Sequence, residues 1–285
     1  METSSLAQRL STRFVAGETL DQALSVARKL NSEGITVTLD HLGESVSTLD
    51  EAAEARDVYL RTLDAIHSHG IQGNVSLKLT QFGLDLSYEA CLANVERLVK
   101  RAAELGSFVR VDMESSDYTD RTLDLVDTLH QRYGAVGVVI QSYLYRSQAD
   151  IEKLCAAKIR VRLCKGAYLE PADVAIPKKA EVDRSYFDLT RFLLEKGDYP
   201  ALATHDEAMI RRILEFVAKH RVARDSFEFQ MLYGIRRDLQ RRLVAEGYRV
   251  RLYVPFGKAW YPYYMRRLAE RPANVFFMAR NLFRS

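Results

Sequence analysis

Eight short apolar or β-branched runs, each ending on a polar residue and each followed by an amphipathic stretch, predict an α/β fold of the (β/α)8 TIM-type barrel class. Two further observations point the same way. No Gly/Ser-rich linker or compositional break interrupts the 285 residues, and the polar residues of the runs share one parity, as the inner face of a barrel requires. With 47% hydrophobic residues the chain can bury one large core. It is therefore expected to be a single domain over 1–285: a helical extension over 1–34, eight strand units over 35–257, and a final helix and tail over 258–285 lying over the barrel mouth.

The elements follow in order. Thr19 and Gln22 fit a capping box, Leu20, Ala23, Leu24, Ala27 and Leu30 keep helical spacing, and Gly34 stops the run, so a helix precedes the first strand. The strand runs are ITVTLDHLG from Ile35, NVSLKLTQFG from Asn74, FVRVDMESS from Phe108, AVGVVIQSY from Ala135, KIRVRLCKGAY from Lys158, PALATHD from Pro200, FEFQMLYG from Phe227 and YRVRLYVPFG from Tyr248. Helical patterns such as YEACLANVERLVKRAAELG and EAMIRRILEFVAKH lie between them.

Alternation assigns the faces. Ser76 and Lys78, Arg110 and Asp112, Arg160 and Arg162, Glu228 and Gln230, and Arg251 and Tyr253 oppose their apolar neighbours, so they are expected to point inward while the apolar parity meets the helices. The strand ends, where such barrels place their chemistry, carry Asp40, Lys78, Asp112, Gln141, Arg162, Lys165, Thr204, His205, Gln230 and Tyr253. For the deeper Arg110 and Arg251, a buried ion pair serving only packing is an equally good account.

Composition narrows the partners. A net charge of +3 argues against nucleic-acid binding and favours a small-molecule protein. Three cysteines without metal spacing point to a reducing compartment, and no N-terminal signal or apolar run of ~18 residues is present, so a cytoplasmic protein is expected. No zinc spacing links His41, His67, His69, His130 and His220, so no metal is expected. Cys164 reads as a packing residue, and no GxGxxG follows a strand, which leaves a Rossmann site without support.

After the eighth strand, Tyr263, Arg266, Arg267 and Glu270 share one side of the expected last helix. Adjacent guanidiniums can hold a carboxylate through parallel hydrogen bonds, although Glu270 satisfying both on a solvated surface is the bland alternative. The tail FFMARNLFRS mixes Phe276, Phe277, Leu282 and Phe283 with arginines; it suits a helix packed over the domain, with membrane-surface contact as a second use. In VRLCKGAYLEP, Arg162 has inward parity and Gly166 and Ala167 leave room for a large flat ligand and its phosphates to approach the main chain beside Lys165.

Taken together, VRVDMESS, RLCKGAY, ATHD, FEFQMLYG, RLYVPFG and YYMRRLAERPAN, in this order, resemble the proline dehydrogenase family. The resemblance implies a distorted (β/α)8 barrel that binds FAD noncovalently, oxidises L-proline to Δ1-pyrroline-5-carboxylate and passes electrons to a membrane quinone, with peripheral membrane contact at the inner face. It implies that Arg266, Arg267 and Lys78 bind the proline carboxylate, that Tyr253 and Tyr263 close over the ring, and that Leu232 forms an apolar wall. Asp112 and Arg162 match the active-site aspartate and the arginine near the reactive flavin nitrogen. Met113, Gln141, Arg162, Lys165, Gly166, Ala167, Thr204 and His205 match FAD-contacting positions, with Tyr168 and Glu270 beside them; His205 is expected to bond the cofactor rather than act as a base. Leu169 and Asp206 depart from the tryptophan and asparagine of several relatives, on the adenine side. No aldehyde dehydrogenase segment is present, so the monofunctional type is implied. Rival classes are a Schiff-base lyase using Lys78 or Lys165 and a noncatalytic carboxylate-binding barrel. Oligomeric state is not readable from these motifs.

Overall fold

A computed structural model describes residues 14–43 and 45–260. Its strands β1 (Thr36–His41), β2 (Gly73–Leu77), β3 (Val109–Val111), β4 (Val136–Gln141), β5 (Val161–Cys164), β6 (Ala201–Ala203), β7 (Glu228–Leu232) and β8 (Val250–Phe256) pair in parallel, in sequence order, and β8 closes on β1. Each of the eight sequence runs supplies one strand. The connecting helices are α2 (Leu49–Ser68), α3 (Tyr88–Glu104), α4 (Thr119–Tyr133), α5 (Ser147–Ala156), α6 (Lys179–Lys196), α7 (Glu207–His220) and α8 (Arg237–Ala245), with α1 (Leu20–Ser32) ahead of β1.

Local chemistry sets the helix starts. Thr19 accepts from the Gln22 amide while the Gln22 side chain accepts from the Thr19 amide, a complete capping box, and α1 then buries Ala23, Leu24, Ala27 and Leu30 against β1 and β8. Thr48 and Ser87 cap α2 and α3 in the simpler way. On the strands Val75, Leu77, Val109, Val111, Val136, Val138 and Ile140 are buried among the apolar faces of the helices.

The opposite parity meets across the barrel. Arg162 of β5 bonds Ser76 of β2, and Arg251 of β8 bonds Asn74 of β2, contacts between strands that are not neighbours. At the floor, Arg251 Nε donates to Glu228 Oε1 (2.8 Å) and its Nη1 to the Val37 carbonyl (2.8 Å). Burial opposes ionisation of Glu228, but the Arg251 guanidinium wins and holds its carboxyl below the usual range. Among the described residues no carboxylate bonds Arg110; it donates to the carbonyls of Val138 and Arg160, and burial pulls it well below the usual guanidinium range. Gly137 makes room for it: a Cβ there would lie 2.9 Å from Arg110 Nη1 and collide with the Arg160 carbonyl.

Arg160 corrects the parity argument. It precedes the first residue of β5, is exposed, and pairs with Asp198 (3.4 Å) at the bottom rim, because its stretch has not yet entered the closed sheet. The expected last helix, with Tyr263, Arg266, Arg267 and Glu270, lies outside the described residues.

Candidate active site

At the top of the barrel Asp112 collects three donors. Its Oδ1 accepts from Arg162 Nη1 (2.7 Å) and Ser76 Oγ (2.6 Å), and its Oδ2 from Tyr253 Oη (2.8 Å). These partners come from β5, β2 and β8, so three strands determine the position of one carboxylate following β3. The Asp112 amide is anchored on the Leu77 carbonyl (2.8 Å). The Arg162 side chain is 7% exposed and lies 5.4 Å from the Tyr253 ring centre, yet its Nε and Nη2 have no acceptor among the described residues. A buried guanidinium with open donors is costly unless a ligand supplies the acceptors.

A second carboxyl stands beside this pair. Asp40, at the end of β1, accepts from Tyr59 Oη (3.1 Å), and Tyr59 also takes the His41 amide (3.1 Å). Burial raises the Asp40 carboxyl against the charge of Lys78, which faces it from the end of β2. The sequence pattern gave no reason to single out Tyr59: it lies on α2, outside the strands, as an apolar-spaced helix residue that threads its hydroxyl back to the strand end.

The β5 end forms the next part. Lys165 Nζ donates to Asp183 Oδ1 (2.5 Å) and Asp206 Oδ2 (2.9 Å), while Asp206 Oδ1 caps α7 through the amides of Ala208 and Met209. Lys165 thus meets a ligand as a donor held between two carboxylates, not as an isolated cation. Gly166 adopts φ +123°, and a Cβ there would run into the Tyr143 ring, so only glycine fits. Ala167 and Tyr168 are exposed beyond it. Glu170 then accepts from the Ser116 amide (2.8 Å) and hydroxyl (2.5 Å), clasping this loop to the one after β3. Asp183, Tyr143 and the Glu170–Ser116 clasp are contacts between remote segments with no signal in local spacing. Cys164, on β5, has its thiol pushed up to about 12, first by burial, which fits its packing role.

The other strand ends supply polar rims. Gln141 Nε2 donates to the Glu114 carbonyl (2.9 Å), Met113 is buried, and Thr204 Oγ1 accepts from the Asp206 amide (3.1 Å). His205 Nε2 accepts from the Leu232 amide (2.8 Å), so that nitrogen carries no proton and Nδ1 is the donor. The bond ties the end of β6 to the end of β7 and occupies one ring nitrogen of His205. Among the described residues no group of His, Cys, Asp and Glu has metal-binding geometry, and no helix is long and apolar enough to cross a membrane.

These features fit a flavin-type ligand: open guanidinium donors on Arg162, a side-chain-free backbone at Gly166, and an oriented imidazole at His205 all face the strand ends. A closed parallel barrel whose strand ends converge on a nearly buried ion pair belongs to the (β/α)8 enzyme class. The chain is a member of the proline dehydrogenase family, whose model matches residues 23–280. It is 44% identical over 278 residues to a proline dehydrogenase of Deinococcus radiodurans, covering 96% of this chain and 90% of that one. Proline dehydrogenase 1 of Bacillus subtilis subsp. natto is 42% identical over 270 residues, with 95% and 89% covered. The solved proline utilization A of Bdellovibrio bacteriovorus, described as inactivated by N-propargylglycine, superposes with a TM-score of 0.86 at 27% identity, over 92% of this chain and 32% of that longer one.

Proposed function

We propose that this protein is a monofunctional flavoenzyme that oxidises L-proline to Δ1-pyrroline-5-carboxylate, the first step of proline degradation to glutamate, with FAD bound at the strand ends and a quinone as electron acceptor. Family membership supports proline oxidation. The observation that carries the site is Arg162, held by Asp112 and Ser76 while two of its nitrogens lack acceptors among the described residues.

FAD, when bound, supplies the hydride acceptor. Met113, Gln141, Arg162, Lys165, Gly166, Ala167, Thr204 and His205 would hold it, with Tyr168 and Glu270 beside them. Lys78, Arg266 and Arg267 orient the substrate carboxylate; Leu232, Tyr253 and Tyr263 wall the ring. Tyr253 is suited to this because its hydroxyl is tied to Asp112, which fixes the ring plane. Orientation of the reacting carbon and exclusion of water are the protein's contribution. The Arg162 guanidinium would stabilise negative charge developing at its open side. Quinone use and peripheral membrane contact through the 276–284 tail rest on the family resemblance and the sequence.

The Schiff-base alternative is disfavoured at one of its two lysines. Lys165 Nζ is held between the Asp183 and Asp206 carboxylates, which occupy the nitrogen that would have to attack a carbonyl. The test is an anaerobic titration of purified, FAD-supplemented protein with L-proline. Bleaching of the yellow flavin absorbance is expected; a colourless protein that reduces no dye with proline, or a borohydride-trapped lysine adduct, overturns the proposal.

A further inference from the structure

Oxidation of a secondary amine consumes the nitrogen lone pair, so the ammonium form must lose a proton before the adjacent C–H can leave as hydride. We propose that Asp40 is the terminal acceptor of that proton, reached through the hydroxyl of Tyr253; this deepens the proline-oxidation reading above and rests on it. Asp40 acts through Tyr253, as a residue that positions and stores a proton.

Occupancy separates the two carboxyls at the mouth. Asp112 has both oxygens engaged, by Arg162 and Ser76 on one and Tyr253 on the other. Asp40 has Tyr59 on Oδ1, whereas Oδ2 is buried without a donor among the described residues. The Tyr253 hydroxyl lies against Asp40 as well as Asp112, but it has one proton and gives it to Asp112. Asp40 is therefore the carboxyl with an open acceptor site next to a hydroxyl that can relay.

The surroundings also suit a base. The described elements packed around it contribute: Lys78 from the end of β2 favours the carboxylate, Asp112 beyond β3 disfavours it, and the neighbouring Tyr253 and Tyr59 hydroxyls from β8 and α2 favour the charged form. The adjacent His41 imidazole is pushed toward its neutral form, chiefly by burial. Burial outweighs the favourable contacts, so Asp40 holds a proton more readily than a solvated carboxylate does. Three other groups at the mouth are engaged elsewhere: His205 Nε2 accepts the Leu232 amide, Lys165 is shared between two carboxylates, and burial pushes the Cys164 thiol up.

The step balances. The substrate ammonium N–H bond breaks toward Tyr253 Oη as the Tyr253 proton turns from Asp112 to Asp40 Oδ2, forming one carboxylic O–H. The neutral amine then loses its neighbouring hydrogen with two electrons to the flavin acceptor proposed above, leaving a protonated imine. Asp40 returns its proton to solvent once the product departs.

The test compares wild type and Asp40→Asn as flavin-loaded enzyme, mixed rapidly with L-proline without oxygen across a pH series. Asn keeps a bond to Tyr59 but cannot take a proton. The limiting rate of flavin reduction should fall about 100-fold or more near neutral pH and recover as pH rises and free amine becomes abundant. A readout independent of turnover is the binding of cyclopentanecarboxylate, the ring acid without the nitrogen. Its affinity should weaken with rising pH in wild type, as Asp40 ionises and repels it, and should lose that dependence in Asp40→Asn. A wild-type rate and pH profile in Asp40→Asn overturns the proposal. Should that variant fail to hold flavin, Tyr253→Phe must show the same loss and the same recovery with pH, and a wild-type pH profile there overturns it equally. A wild-type enzyme that proline does not reduce sinks the underlying proline-oxidation reading instead.

Discussion

Asp112→Asn removes the charge on which Arg162 rests, and its cost can be worked from the site. The Arg162 and Asp112 side chains are 7% and 14% exposed, so the pair is nearly buried. Deleting one partner of such a pair leaves an uncompensated charge and costs about 3–5 kcal/mol. The amide oxygen of Asn can still accept from Ser76 or Arg162, and a little solvent reaches the site, so the lower end, about 3 kcal/mol, applies. At about 2–3 °C per kcal/mol for a chain of this size, the flavin-free protein should melt about 6–9 °C lower. Ser76→Ala removes one donor to the same Oδ1, and the double variant should depart from additivity by at least about 0.5 kcal/mol because both act on one network. Thermal unfolding of the four proteins by circular dichroism measures all of this. A shift under about 2 °C for Asp112→Asn, with additive behaviour in the double variant, would refute the view that Asp112 holds Arg162 in place.

Two further outcomes follow from single contacts. Gly166→Ala should bind FAD about tenfold or more weakly with unchanged far-ultraviolet circular dichroism, because φ +123° and the Tyr143 ring both reject a Cβ and strain of about 1–3 kcal/mol must be relieved by moving the loop; equal flavin retention by equilibrium dialysis argues against a seat at this backbone. Glu228→Gln should destabilise the protein by about 3 kcal/mol at neutral pH. Since the Glu228 carboxyl is held below its usual range, its contribution is complete above the unfolded glutamate pKa and drains away as pH falls through the folded value. The melting-temperature gap between wild type and variant should therefore close in acid, and a gap that persists unchanged at low pH contradicts the assignment.

Much of this was legible in the sequence, for a physical reason. Closure of a parallel barrel forces period-two alternation on every strand, so Ser76, Arg110, Asp112, Arg162, Glu228, Gln230, Arg251 and Tyr253 announced their inward face without any neighbour being known. Partner choice was not legible. Arg110 could have paired with an aspartate as plausibly as Arg162 does, and only the stagger of the strands sends it to the carbonyls of Val138 and Arg160. Arg160 failed the pattern because alternation has meaning only within the closed sheet, and β5 begins one residue later. Tyr59 and Asp183 were silent because helix residues that reach a strand end keep ordinary helical spacing.

The inward charges explain why the mouth is reactive while the floor is inert. Among the described residues the interior sets the guanidiniums of Arg110, Arg162 and Arg251 against the carboxyls of Asp40, Asp112 and Glu228, with Lys78 facing Asp40 at the mouth. The bonding is uneven. Arg251 and Glu228 pair at the floor, Arg162 and Asp112 pair above, and the two groups left over, Arg110 and Asp40, are bonded to neutral partners. Burial pushes both leftovers toward neutrality, Arg110 downward and Asp40 upward. Arg110 spends its charge on two carbonyls within closed strands, where no ligand reaches. Asp40 stands at the strand end, under Lys78 and beside Tyr253, so the same electrostatic mismatch becomes a change of protonation at the place where an amine must give up a proton.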